Sequence, residues 1–106
     1  MNLAHTEPAN VYYEKGWIRT LLDHKERIQQ QHSSVNEITE YNAYRKRYDF
    51  YSLLLEMGIA KKYHLVYLLM NNLSYPEQFD DSMQTIYLPD ITYIDKLMKQ
   101  YMTVRN

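Results

Sequence analysis

The sequence predicts an all-α domain of four helices, and three observations carry that prediction. Only two glycines occur in 106 residues, whereas tight β-hairpins, phosphate loops and nucleotide-binding turns mostly need glycine for positive φ or close backbone approach. Apolar residues recur at three- and four-residue spacings through most of the chain, the period of an amphipathic helix. Capping signals fall between those periodic stretches: Ser34-Val35-Asn36-Glu37, Gly58, Asn71-Asn72, and Asp90 behind Pro89. At this length the chain reads as a single domain, residues 1–106, with 1–6 as a loose arm.

The first helix is expected from Val11 to about Gln31. Thr6 followed by Glu7 and Pro8 is a helix-start signal, and Asn10 is a second candidate cap. Val11, Tyr13, Trp17, Ile18, Leu21, Leu22 and Ile28 share one broad face, while Asp23 and Arg27 stand one turn apart as an ion pair. Gly16 costs this helix roughly 1 kcal/mol against alanine, and leaves room for a neighbouring aromatic ring to lie close to the backbone. The apolar rhythm stops at Gln29-Gln30-Gln31-His32.

Ser34 and Glu37 match a capping box, in which hydroxyl and carboxylate each satisfy an orphan helical N–H. A second helix is therefore expected from Val35 to Met57, ended by Gly58 and folded back on the first as a long antiparallel hairpin. Its stretch Tyr41–Leu55 is expected at the centre of the fold. Tyr41, Tyr44, Tyr48, Tyr51 and Leu55 are spaced as a helix-packing seam, with Phe50, Leu54 and Met57 as a second stripe.

A third helix is expected from Ala60 to Asn72, around the apolar run Leu65–Met70. Residues 74–89 stay open between loop, short helix and β-wing, with Thr85–Leu88 as a short extended segment. Asp90 caps a last helix from Ile91 to about Val104, striped with Ile91, Ile94, Leu97, Met98, Tyr101 and Val104, with Asp95 and Lys99 paired on the far side.

Several function classes are excluded or weakened. With no cysteine, thiolate catalysis, disulfides and Cys-based zinc sites are absent. His5, His24, His32 and His64 form no ligand motif, so no metal, no cofactor and no catalytic residue is assigned. The longest apolar run is too short to span a bilayer, and no secretory pattern opens the chain, so a cytoplasmic protein without membrane contact is expected.

Twelve tyrosines point elsewhere. A tyrosine ring is a large apolar body whose hydroxyl can be solvated when no partner covers it, which suits protein interfaces. The expected function is a small non-enzymatic regulatory or inhibitory protein that binds another protein, host or regulatory target, of the sort phages and mobile elements encode. Its contact residues would be Tyr12, Tyr44, Arg45, Arg47 and Tyr48, with the acidic loop around Asp80 and Asp81 as a second surface. Self-association through the second or last helix is a further expectation. The alternative is a winged-helix-like DNA-binding regulator that turns Lys61, Lys62, His64 and Asn71 of the third helix toward DNA. It fits less well, because acids would sit at the wing and the net charge is −1.

Overall fold

A computed structural model describes residues 9–105, with side chains from Val11 to Val104. The expected arm at 1–6 and the Thr6–Pro8 helix start lie outside the described residues. The architecture corrects the all-α prediction. The described residues form six α-helices and a two-stranded antiparallel sheet: α1 (Lys15–Asp23), α2 (Lys25–Gln31), β1 (Ser33–Glu37), α3 (Glu40–Arg45), α4 (Phe50–Glu56), α5 (His64–Met70), β2 (Thr85–Pro89) and α6 (Ile91–Arg105). Short 3-10 turns at Ala9–Tyr13, Lys61–Tyr63 and Pro76–Gln78 link them.

The expected helical hairpin is absent because its second arm begins as a strand. Ser33–Glu37 pairs with Thr85–Pro89, Val35 facing Tyr87, and the ladder extends through Asp90 N–H to His32 O at 2.7 Å and Ile38 N–H to Gln84 O at 2.8 Å. No capping box forms at Ser34; the neighbouring Ser33 hydroxyl donates to Ile28 O, closing α2. The working helix caps lie further on. Thr39 accepts from Asn42 N–H at 3.1 Å to start α3, and Asp49 accepts from Ser52 N–H at 3.2 Å to start α4. Between them Tyr48 takes φ +66°, its N–H donating to Phe79 O. That break ends the Tyr41–Leu55 rod.

The central element is α5. His64, Val66, Tyr67, Leu68 and Met70 are all buried there, against α1, α2, α4 and β2. The rest of the core gathers around it: Trp17, Leu21, Ile28, Phe50, Leu54, Phe79, Ile94 and Met98. A helix that is apolar all round must be enclosed, and α5 meets that description better than the tyrosine-bearing segment does.

Other local signals lead where the residues suggest. Gly58, φ +84°, closes α4 with Gly58 N–H to Leu55 O and Ile59 N–H to Leu54 O. Asn72, φ +63°, repeats the arrangement at the end of α5, with bonds to Leu69 O and from Leu73 N–H to Leu68 O. Both are the left-handed helix stop in which the last carbonyls are satisfied in pairs. Gly16 does admit a ring: a Cβ there would lie 2.7 Å from the Tyr101 hydroxyl, which donates to Glu14. Asp95 is not paired with Lys99; it accepts from Tyr12 at 3.1 Å and Tyr63 at 2.7 Å. Asp23 and Arg27 are not among the ion pairs of the described residues.

The sheet is locked to α5 by two side chains. The Asn71 amide accepts from Tyr87 N–H at 2.7 Å and donates to Tyr87 O at 3.0 Å, while Tyr67 donates its hydroxyl to Pro89 O at 2.9 Å. Asn71→Ala leaves the Tyr87 peptide groups unpaired beside a buried helix end and should cost about 2–3 kcal/mol, read as a lower urea midpoint with unchanged slope. Burial raises the Tyr67 phenol above its ordinary value, with the Asp90 charge adding to the shift, and burial likewise raises Tyr13 and Tyr51. A folded pKa above the unfolded one means stability is complete below about pH 10 and lost as pH rises through the folded value. Stability should therefore be level from neutral pH to about pH 9.5 and fall beyond it, with a shallower fall in Tyr67→Phe.

Candidate functional site

Breaking the rod at Tyr48 decides where the tyrosines go. Tyr51, on α4, turns inward and meets the His64 ring at 5.1 Å. Tyr41, Tyr44 and Tyr48 stay outside, with relative exposures of 71%, 56% and 60%. Three rings left in water within eight residues form an aromatic surface with no internal reason to be there.

Two arginines hold that surface in shape. The Arg47 guanidinium lies 3.9 Å from the centre of the Tyr44 ring and donates to Tyr44 O at 2.8 Å. It also stands 5.8 Å from the Tyr48 ring. Arg45 is 5.7 Å from the Tyr41 ring and forks onto both Glu56 oxygens at 2.7 and 2.8 Å. Lys46 joins the same carboxylate at 3.4 Å and donates to Ser52 Oγ at 2.8 Å. The Arg45 hydrogen bond holds the Glu56 carboxyl below its usual range, with Lys46 adding to the effect. A cation over a ring face is held there by the ring quadrupole, worth about 0.5–1 kcal/mol at an exposed site.

Beside it lies a cleft of about 440 Å³ between α3 and the turn before β2. Tyr41, Tyr44 and Glu40 line it from α3 and Asp81, Met83 and Gln84 from the turn before β2, with Ile38 completing the lining. The aromatic segment and the acidic loop, read from sequence as two surfaces, thus meet in one place. Asp80 is the exception: it accepts from Ser82 N–H at 2.9 Å and from the Ser82 hydroxyl, bonds that lower its carboxyl pKa, and it shapes the turn that presents Asp81.

The remaining expected contact residues fall elsewhere. Tyr12 is wholly buried, its hydroxyl on Asp95 and its ring edge-on to Trp17 and Tyr63, so it offers nothing to a partner. The DNA-facing set is divided. Lys61 is exposed, and Lys62 lies 5.1–5.4 Å from the Tyr63 and Tyr12 rings. His64 is buried with Nε2 2.9 Å from Ile59 O, and Asn71 is buried against β2. Of the four residues expected to face DNA, His64 and Asn71 are thus in the core.

Sequence reasoning left Tyr41, Glu40 and Met83 out of the contact set. Thr39 ahead of Glu40 was an available cap signal; it would have started a helix there and put Glu40 and Tyr41 in its first turn. Among the described residues, no group of three or more His, Asp or Glu is placed to hold a metal ion, and no helix is long and apolar enough to cross a membrane.

The positive φ at Tyr48 gives the site a mechanical signature. A bulky L-residue in the left-handed region costs roughly 1–2 kcal/mol, and glycine is free of that cost. Tyr48→Gly should therefore keep or raise stability by up to about 1 kcal/mol, whereas Tyr44→Gly inside α3 should lower it by about 1 kcal/mol, both read by urea denaturation. Compared with known proteins, the chain matches no family model, no curated protein and no solved structure.

Proposed function

We propose that the protein is a small regulatory or inhibitory module without catalytic chemistry, and that it acts by docking another protein on the α3 surface and its cleft. The observation that carries this reading is the convergence of Tyr41, Tyr44 and Asp81 on one open cleft, with Tyr48 and Arg47 continuing the surface beside it. Exposed aromatic rings with an arginine among them have the composition of interface centres, where Tyr and Arg supply most of the binding energy. The acids at the cleft, Glu40 and Asp81, favour a partner segment bearing lysine or arginine. Its cation would meet carboxylates and a ring face together.

The DNA-binding alternative draws no support from this geometry. Its recognition helix would have to be α5, most of whose side chains are buried, and the basic run Arg45-Lys46-Arg47 at the end of α3 is turned onto rings and Glu56.

A peptide library displayed against the full chain provides the test. Selected peptides should be rich in basic residues, and calorimetry should show at least a tenfold loss of affinity, about 1.4 kcal/mol, for Tyr44→Ala and for Asp81→Asn. Both residues are exposed, so thermal unfolding of the variants should stay close to that of the parent. Selected binders indifferent to both substitutions would remove the proposal, as would tight, steeply salt-dependent binding to random duplex DNA.

A further inference from the structure

The two edges of the sheet are finished very differently. Bonds from Asp90 N–H to His32 O and from Ile38 N–H to Gln84 O set the parity of the ladder. Ser34 and Asn36 are therefore the residues of β1 that exchange backbone bonds with β2, and the peptide groups of Ser33, Val35 and Glu37 point the other way. On the far side of β2 the outward groups of two of the three matching residues are covered: Asn71 takes both groups of Tyr87, Tyr67 takes Pro89 O, and Pro89 has no N–H to leave open, so that among the described residues only Thr85 at the end of the strand stays open. On β1 nothing equivalent occurs. Its backbone has no partner for those three residues among the described residues, four of its five side chains are exposed, and Val35 is 59% exposed. Neither proline, lysine nor a bulge guards it, the usual devices against edge pairing.

We infer that β1 pairs with β1 of a second copy, antiparallel and centred on Val35, joining two sheets into one four-stranded sheet. The segment is its own complement. A two-fold axis at Val35 sets Val35 against Val35 of the other copy and Ser33 against Glu37 in both directions, so all three outward residues form hydrogen-bonded pairs. An apolar side chain then covers its twin, and each carboxylate faces a hydroxyl. Sliding the strands by two residues leaves one of the three without a partner, and sliding by four in one direction places Glu37 opposite Glu37, like charges directly opposed. Charge and register therefore select one arrangement and one occupant, a second copy, over an arbitrary extended peptide. The net charge of −1 sets up little repulsion between copies. The pairing involves β1 alone and stands independently of the α3 docking face.

The absence of cysteine makes the test direct. In the stated register the two Val35 Cα atoms lie about 5.5 Å apart, inside the roughly 4.4–6.8 Å span of a disulfide, while Ser33 and Glu37 lie about 13 Å or more from their own copies. Under mild oxidation full-length Val35→Cys should form a linked dimer at least tenfold faster than Ser33→Cys or Glu37→Cys, and mixing the latter two should restore linkage. Sedimentation of the unaltered chain up to about 1 mM should show a monomer–dimer equilibrium that Val35→Pro abolishes. The N–H it removes points away from β2, the edge-strand position at which proline's fixed φ is tolerated, so the circular dichroism of the variant should match the parent. Equal linkage rates for the three cysteine variants, or a chain that stays monomeric throughout that range, would overturn the inference.

Discussion

The side-chain amide of Asn71 completes two elements at once. At the end of α5 it donates to Tyr67 O, one of the last carbonyls of the helix, and across the gap it holds both peptide groups of Tyr87. An amide is the one short side chain with donor and acceptor at the spacing of a strand neighbour. It therefore stands in for a third strand where none exists. A two-stranded ribbon is marginal by itself; attached to the buried helix in this way, with Tyr67 on Pro89 and Ile86 in the core, it becomes part of the core wall. The position of β2 then sets the position of β1, and β1 sets where α3 begins.

Placing α5 at the centre also explains the exposure of the tyrosines. Its Val66, Leu68 and Met70, with Trp17, Phe50 and Phe79 around them, fill the interior with side chains that need few hydrogen bonds. Tyrosines enter that interior only where a polar group waits for the hydroxyl: Tyr12 and Tyr63 on Asp95, Tyr67 on Pro89 O. Tyr41, Tyr44 and Tyr48 have no such partner on offer inside and remain in water. The strained φ of Tyr48 belongs to the same picture, since a residue held off its preferred backbone beside an open aromatic surface is a recurrent mark of a binding region.

Much of the fold was legible in short stretches, because the physics there is local. Gly58 and Asn72 end helices, Asp90 starts one with Thr92 N–H at 3.1 Å, and Gly16 marks the seat of a ring. The extended segment expected near 85–88 lies within β2. Where the reading failed, distant partners had overruled a local signal. Ser34–Glu37 carries a good capping box, yet its backbone is taken by residues about fifty positions away. The heptad-like spacing of Tyr41, Tyr44, Tyr48 and Tyr51 is real in the sequence but not in space, because Asp49 caps a new helix and Phe79 O draws the Tyr48 N–H out of the old one.

Composition and spacing alone determined that the chain is helix-rich, where several helices stop, and that aromatic rings are too many for the interior. Those properties depend on neighbours within a turn or two, which a linear reading can see. Tertiary structure alone decided which helix lies inside, that a strand replaces the start of the expected second helix, and that Tyr44 and Asp81 share a cleft. Each depends on contacts between residues far apart in the chain, and free energy from such contacts outweighs the roughly 1 kcal/mol by which a local preference favours one conformation over another.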